Sequence, residues 1–195
     1  MICYLITSFL QRRFGENLKK HARLTMMLKT YEAGYVKKTS RVFTRDEIEK
    51  ALQLDLSCPT WVMWKAIASV GFCGALRCVE LRSINLGSVT INDEGCWISF
   101  FHAKQRGEAK KNEFLVPFNR SEPNLCMATR LIYYMECLRK SLPDLGEKDP
   151  LFHRALKKGY GEKPLGRNTL GKIPFHMAVK MDLPEPKKYT GHGFR

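Results

Sequence analysis

SVTINDEGCWISFFHAKQRGEAKKNEFLVPF, residues 88–118, contains the change of period on which the fold turns. In SVTIN (88–92), CWISFFHA (96–103) and EFLVPF (113–118), β-branched and aromatic residues recur with a period of two. The breaks between them are DEG and the polar KQRGEAKKN. Such alternation makes one face of each segment apolar, and with turns between, it predicts a three-stranded antiparallel meander. The flanks follow the helical period instead, so the expected class is mainly α with one small antiparallel sheet, an α+β fold.

Upstream, TRDEIEKAL (44–52) opens a unit: Thr44 can cap a first turn while Glu47, three residues on, reaches back to the cap amide. Ile48, Ala51 and Leu52 form the buried face of that helix. A second helix over 59–73 carries Trp61, Trp64, Ile67 and Ala68, a density of large apolar groups that places it in the core. Gly71 and Gly74 loosen the chain before LRCVELRSINL (76–86). Downstream, Ser121, Glu122 and Pro123 are expected to start a helix with Leu125, Ala128, Leu131, Ile132, Met135 and Leu138 on one face, ending before Pro143. GYGEKPLGRN (159–168), with three glycines and a proline, reads as a loop; NTLGKIPFHMAVKM (168–181) can form a short helix if Pro174 sits in its first turn. At the other end, Leu18, His21, Leu24, Leu28 and Tyr31 give 1–36 a helical spacing, too short for a domain of its own. The basic GYVKKTSR (34–41) suits a linker. The expected division is therefore 1–36, a linker over 37–43, and a main domain over 44–195.

The 195 residues carry 33 Lys and Arg against 19 acids, a net charge of +14, which favours an anionic partner, most often nucleic acid. The seven cysteines are odd in number, scattered and free of C-x-x-C spacing, as expected of buried reduced thiols. No Cys/His set has the clustering that zinc needs, so no metal is expected. MICYLITSFL (1–10) lacks a basic flank and falls short of the ~20 residues of a membrane span, so no membrane association is expected.

Three places carry charged groups where the backbone changes character. Arg77, just past a core helix, needs a carboxylate or a bound anion; Glu80 at i+3 can supply the first. Lys104 enters the hairpin turn, where it either projects into a groove or joins Arg106, Lys110 and Lys111 in a solvated basic tip. GHGFR (191–195) sets His192 and Arg195 three apart, on one face if helical, with Gly191 and Gly193 permitting close approach to a ligand. GYGEKPLG is not a phosphate loop, since no Gly-Lys-Ser/Thr follows, and there are no paired carboxylates or G-x-S-x-G elbow.

In this order the three places resemble the catalytic domain of the tyrosine recombinases, or phage integrases. That family carries an Arg in G-x-R-x-x-E-L, a hairpin Lys, H-x-x-R, a further His or Trp, and a nucleophilic Tyr. Here GALRCVEL supplies Arg77 and Glu80, FFHAKQRG supplies Lys104, and YTGHGFR supplies His192 and Arg195. The wording of VFTRDEIEKAL and of PLGRNTLGKIPFHMAVKMDLPEPKKYTGHGFR is similar to the transposon-borne, Crypton-like recombinases of eukaryotes, and the likeness covers roughly 40 to 195. It implies DNA recombination and integration through a 3′-phosphotyrosine, with no metal and no cofactor. Arg77 and Arg195 would hold the non-bridging oxygens, His192 would add a hydrogen bond or proton transfer, and Lys104 would protonate the departing 5′-oxygen. Glu80 would orient Arg77. Residues 1–36 would end a helical DNA-clamping domain, with Lys37, Lys38, Arg106, Lys110 and Lys111 as further DNA contacts. Duplex DNA is the implied partner, a homo-oligomer on DNA the implied assembly, and the nucleus the implied location.

All seven tyrosines, Tyr4, Tyr31, Tyr35, Tyr133, Tyr134, Tyr160 and Tyr189, precede Arg195, whereas the family's nucleophile follows H-x-x-R. The expectation is a truncated domain, inactive alone, with Tyr189 packing or touching phosphate beside His192. Missing helices are expected to leave apolar patches on the Trp61/Trp64 helix and on the face from 125 to 138. A non-catalytic, transposon-derived DNA-binding or regulatory protein is the alternative. A basic RNA-binding protein is a third reading, and it predicts tighter binding to RNA than to duplex DNA.

Overall fold

A computed structural model of the chain describes residues 26, 40–54, 57–101 and 111–194. The chain divides into two compact units, Met1–Thr39 and Ser40–Arg195. In the first, only Met26 is described, an exposed helical residue. The helical spacing over 1–36, Lys37 and Lys38 lie outside the described residues.

The second unit begins with α1 (Arg45–Gln53), whose capping box forms as the sequence predicts. The Glu47 amide donates to Thr44 Oγ1 at 3.2 Å, and the Thr44 amide donates to Glu47 Oε2 at 2.9 Å. Ile48, Ala51 and Leu52 are its buried residues. Thr44→Ala is expected to cost about 1 kcal/mol and to lower the melting temperature by roughly 2–4 °C, as calorimetry would show.

α2 (Pro59–Cys73) runs through the core, with Trp61 only 2% exposed and Ile67, Ala68 and Val70 sealed. Its buried Lys65 is accommodated at the end of α1, where Nζ donates to the Leu54 carbonyl at 2.5 Å. A cation beside the carbonyl end of a helix satisfies both the ammonium and the helix. After the short α3 (Cys78–Arg82) comes the predicted meander, β1 (Val89–Ile91), β2 (Gly95–Phe101) and β3 (Lys111–Pro117), antiparallel in the order β1-β2-β3. Cys96, Ile98, Phe100 and Val116 face the core, whereas Trp97 and Glu113 are exposed.

α4 (Met127–Ser141) starts later than the sequence implies. Pro123 belongs to a separate 3-10 turn (Pro123–Leu125), and Cys126, with φ −71° and ψ 108°, breaks the path before α4 begins. The buried face is Ala128, Leu131, Tyr134, Met135 and Leu138; Tyr134 joins it, whereas Leu125 and Ile132, expected on it, are only half-buried.

The stretch over 159–168 is not a loop. β4 (His153–Ala155) and β5 (Tyr160–Pro164) form an antiparallel hairpin. Gly159 turns the chain at φ 75°, a conformation open to glycine. Tyr160 then anchors β5: its ring meets Tyr134 edge-on at 5.2 Å, and its hydroxyl donates to the Pro59 carbonyl at 3.0 Å.

α5 (Arg167–Lys180) is a full helix with Pro174 in its interior, not in its first turn. Proline there forgoes the bond to the Leu170 carbonyl. Buried contacts made by Leu170, Ile173, Pro174, Met177 and Ala178 hold the helix together across that gap. Lys50 Nζ donates to the Met181 carbonyl at its end, at 3.0 Å.

The apolar patches expected on α2 and α4 are absent among the described residues. α2 packs on α4, the β4-β5 hairpin lays Phe152 and Tyr160 over them, and His176 of α5 stacks on half-buried Trp64 at 5.9 Å. The six described cysteines are free thiols; Cys96 and Cys126 are buried and Cys58 is exposed.

Candidate functional site

Arg77 sits at a sharp reversal. α2 ends at Gly74, Ala75 adopts a left-handed conformation at φ 46°, and the Leu76 amide returns to the Gly71 carbonyl at 3.0 Å. Arg77 is the N-cap residue of α3, and Glu80 is the third residue of that helix. Glu80, 2% exposed, accepts the Arg77 amide on Oε2 at 2.8 Å and the Arg77 Nη1 on Oε1 at 3.2 Å. The Arg77 side chain keeps 22% of its surface exposed. The pair with Glu80 and an anion site are therefore compatible: the carboxylate takes one edge of the guanidinium and fixes the direction of the rest.

His192 is exposed on a turn over 191–194, not on a helix face as its spacing from Arg195 allowed. The Gly193 amide closes the turn on the Thr190 carbonyl at 2.8 Å. The flanking glycines make close contact with protein. A Cβ on Gly191 would lie 2.9 Å from Cys78 Sγ, and one on Gly193 would lie 2.8 Å from Pro174 Cβ. Cys78 Sγ donates to the Gly191 carbonyl at 3.1 Å, so the neighbour of Arg77 touches the neighbour of His192. Burial pushes the Cys78 thiol up, with the charge of Arg167 partly opposing it, which keeps the donor protonated.

Tyr189 is a packing residue. It is 1% exposed, its ring lies 4.6 Å from that of Phe43, and its hydroxyl donates to Glu47 Oε1 at 2.8 Å. Burial, reinforced by the Glu47 carboxylate, pushes its phenol up to about 12. A neutral hydroxyl committed to a carboxylate is not free to touch phosphate.

Lys104, Arg106, Lys110 and Arg195 lie outside the described residues. Lys111 opens β3, opposite Phe101 of β2. Sequence reasoning missed the outer face of α5. Lys172, His176 and Lys180 recur there at four-residue spacing, all exposed, with exposed Arg167 in its first turn. That spacing is visible in the sequence once Pro174 is allowed inside the helix.

Among the described residues, no three His, Cys, Asp or Glu side chains are grouped to hold a metal, and no helix is long and apolar enough to cross a membrane.

Helices around a three-stranded antiparallel meander make a mixed α/β architecture consistent with a tyrosine recombinase catalytic-domain fold. No protein-family model and no curated protein matches the sequence. Among solved structures the chain is similar to the XerH site-specific recombinase bound to its difH substrate in a pre-cleavage complex, with a TM-score of 0.55 and 14% identity. The likeness, which is one of fold, takes in 98% of this chain and spans 56% of the length of that one.

Proposed function

We propose that this chain binds duplex DNA and grips a backbone phosphate between Arg77 and His192, in a recombinase-type site completed by Lys104 and Arg195. The observation that carries this reading is the bond from Cys78 Sγ to the Gly191 carbonyl. It joins the start of α3 to the His192 turn across 113 residues of sequence. A guanidinium already aligned by Glu80 offers its remaining donors to phosphate oxygens at little cost in side-chain entropy, and an exposed imidazole adds a further donor. Exposed Arg167, Lys172 and Lys180 extend a positive surface along α5. Lys37, Lys38, Arg106, Lys110 and Lys111 are proposed as further backbone contacts. Kinship with Crypton-like, transposon-borne recombinases rests on the wording around these residues. Nuclear location and assembly of several copies on DNA would follow from it.

The second reading, a transposon-derived DNA-binding protein that does not cut, is favoured by the placement of the described tyrosines. Tyr134, Tyr160 and Tyr189 are buried with their hydroxyls on Leu151, Pro59 and Glu47, and burial raises all three phenols. Tyr133 is exposed on α4, which packs chiefly on α2, β3 and β5. The hydroxyls of Tyr134, Tyr160 and Tyr189 are thus committed within the protein and are not offered to a phosphate held by Arg77. Fluorescence anisotropy at fixed salt is expected to show duplex DNA bound more tightly than RNA of equal length; the reverse order would sink the DNA reading. A duplex with a bridging phosphorothiolate is expected to give no covalent protein–DNA adduct, and an adduct would show that the chain cuts.

A further inference from the structure

The turn that carries His192 is fixed on both sides. In front, Cys78 holds the Gly191 carbonyl at 3.1 Å. Behind it runs a strap, residues 40–43, at the start of the second compact unit. Ser40 and Thr190 share a hydroxyl bond of 2.6 Å, the Arg41 amide donates to the Lys188 carbonyl at 2.9 Å, and the Phe43 amide donates to the Gly193 carbonyl at 2.7 Å. The ring of Phe43 lies 4.6 Å from Tyr189 and 5.5 Å from Phe194. Glu47 anchors the far side: its Oε1 accepts the Tyr189 hydroxyl at 2.8 Å and Arg41 Nη2 at 3.2 Å, while its Oε2 completes the cap of α1. The Arg41 guanidinium also lies over the Tyr189 ring, 5.3 Å from its centroid.

We infer that the strap over 40–43, with Glu47 and Tyr189 as its anchoring pair, is a positioning element for His192. A turn of sequence Gly-His-Gly has large backbone freedom, and an unrestrained His192 would sample many directions. The peptide carbonyls on either side of His192 are instead bonded, one to Cys78 and the other to Phe43. The His192 side chain itself is exposed. Loosening the strap lowers the fraction of molecules with His192 correctly placed, and apparent affinity falls by that fraction. The start of the second unit and the His192 turn thus move as one piece.

The inference rests on His192 as a phosphate-gripping residue, and the test separates the two. Tyr189→Phe keeps the ring and deletes the bond to Glu47. In ¹H–¹³C NMR spectra, with the His192 signal assigned by its loss in His192→Gln, Tyr189→Phe is expected to shift and broaden that signal and leave His153 and His176 in place. Duplex DNA binding should weaken about threefold to tenfold. Ser40→Ala, an exposed position that does not threaten folding, should do the same to a smaller extent. His192 signals that coincide with wild type in both variants would overturn the positioning role. Displaced signals together with wild-type DNA affinity for His192→Gln would uphold it and reject the phosphate grip.

Discussion

Arg77→Ala is expected to weaken duplex DNA binding by about 10- to 100-fold, the factor that corresponds to losing about 1.5–3 kcal/mol of charge-assisted hydrogen bonding. The loss should be uniform across DNA sequences, because a phosphate contact carries no base information. The slope of log affinity against log salt should fall by about 1. Arg77→Lys should recover only part of the affinity, since an ammonium cannot hold Glu80 and a phosphate along two edges at once. Glu80 keeps its bond from the residue 77 amide in either variant, so the start of α3 survives. Titrations at several salt concentrations decide the matter: an unchanged affinity and slope would mean that Arg77 serves only its partner Glu80.

The largest stability effect is expected at Gly95. Its φ is 151°, and a Cβ there would lie 2.2 Å from the Val116 carbonyl oxygen and 2.9 Å from Pro117 Cα. Both obstacles are backbone atoms of the paired strand, so no side-chain rotation relieves the clash and β2 must part from β3. Gly95→Ala should cost about 3 kcal/mol and lower the melting temperature by roughly 6–12 °C. Gly171→Ala is the internal control: a Cβ at Gly171 meets nothing within 4 Å, and α5 should gain about 0.5–1 kcal/mol from alanine. Thermal melts of the two variants should move in opposite directions, and a Gly95→Ala protein as stable as wild type would refute the strand-clash account.

The parts legible in the sequence are those whose partners lie close along the chain. Thr44 and Glu47 are three residues apart, and so are Arg77 and Glu80; both bonds form as their spacing implies. The alternation over 88–118 has a single reading, because a slip of one residue would turn Trp97 inward and Ile98 out to water. The hairpin of β4 and β5 was hidden because its second strand, YGEKP, exposes Glu162 and Lys163 and has one buried anchor, Tyr160. Its stability comes from Tyr134 and Pro59, which no local pattern connects to it. Pro174 misled in the same way, since its cost is local and the contacts that offset it are tertiary.

In the candidate site the division falls between residue type and residue placement. Arg77, Lys104, His192 and Arg195 were recognisable as charged groups at places where the backbone changes character. Local spacing also tied Glu80 to Arg77. The close approach of Cys78 to Gly191 and of Pro174 to Gly193 was not legible, because a glycine that admits a ligand and one that admits a protein neighbour look identical in one dimension. Tyr189 was equally ambiguous until Glu47, 142 residues away, claimed its hydroxyl. Short-range chemistry thus accounts for the starts of α1 and α3 and for the meander. The contact of Cys78 with Gly191, beside Arg77 and His192, and the bonds from residues 40–43 to the same segment came only from packing, because burial and long-range hydrogen bonds decide which distant groups share a surface.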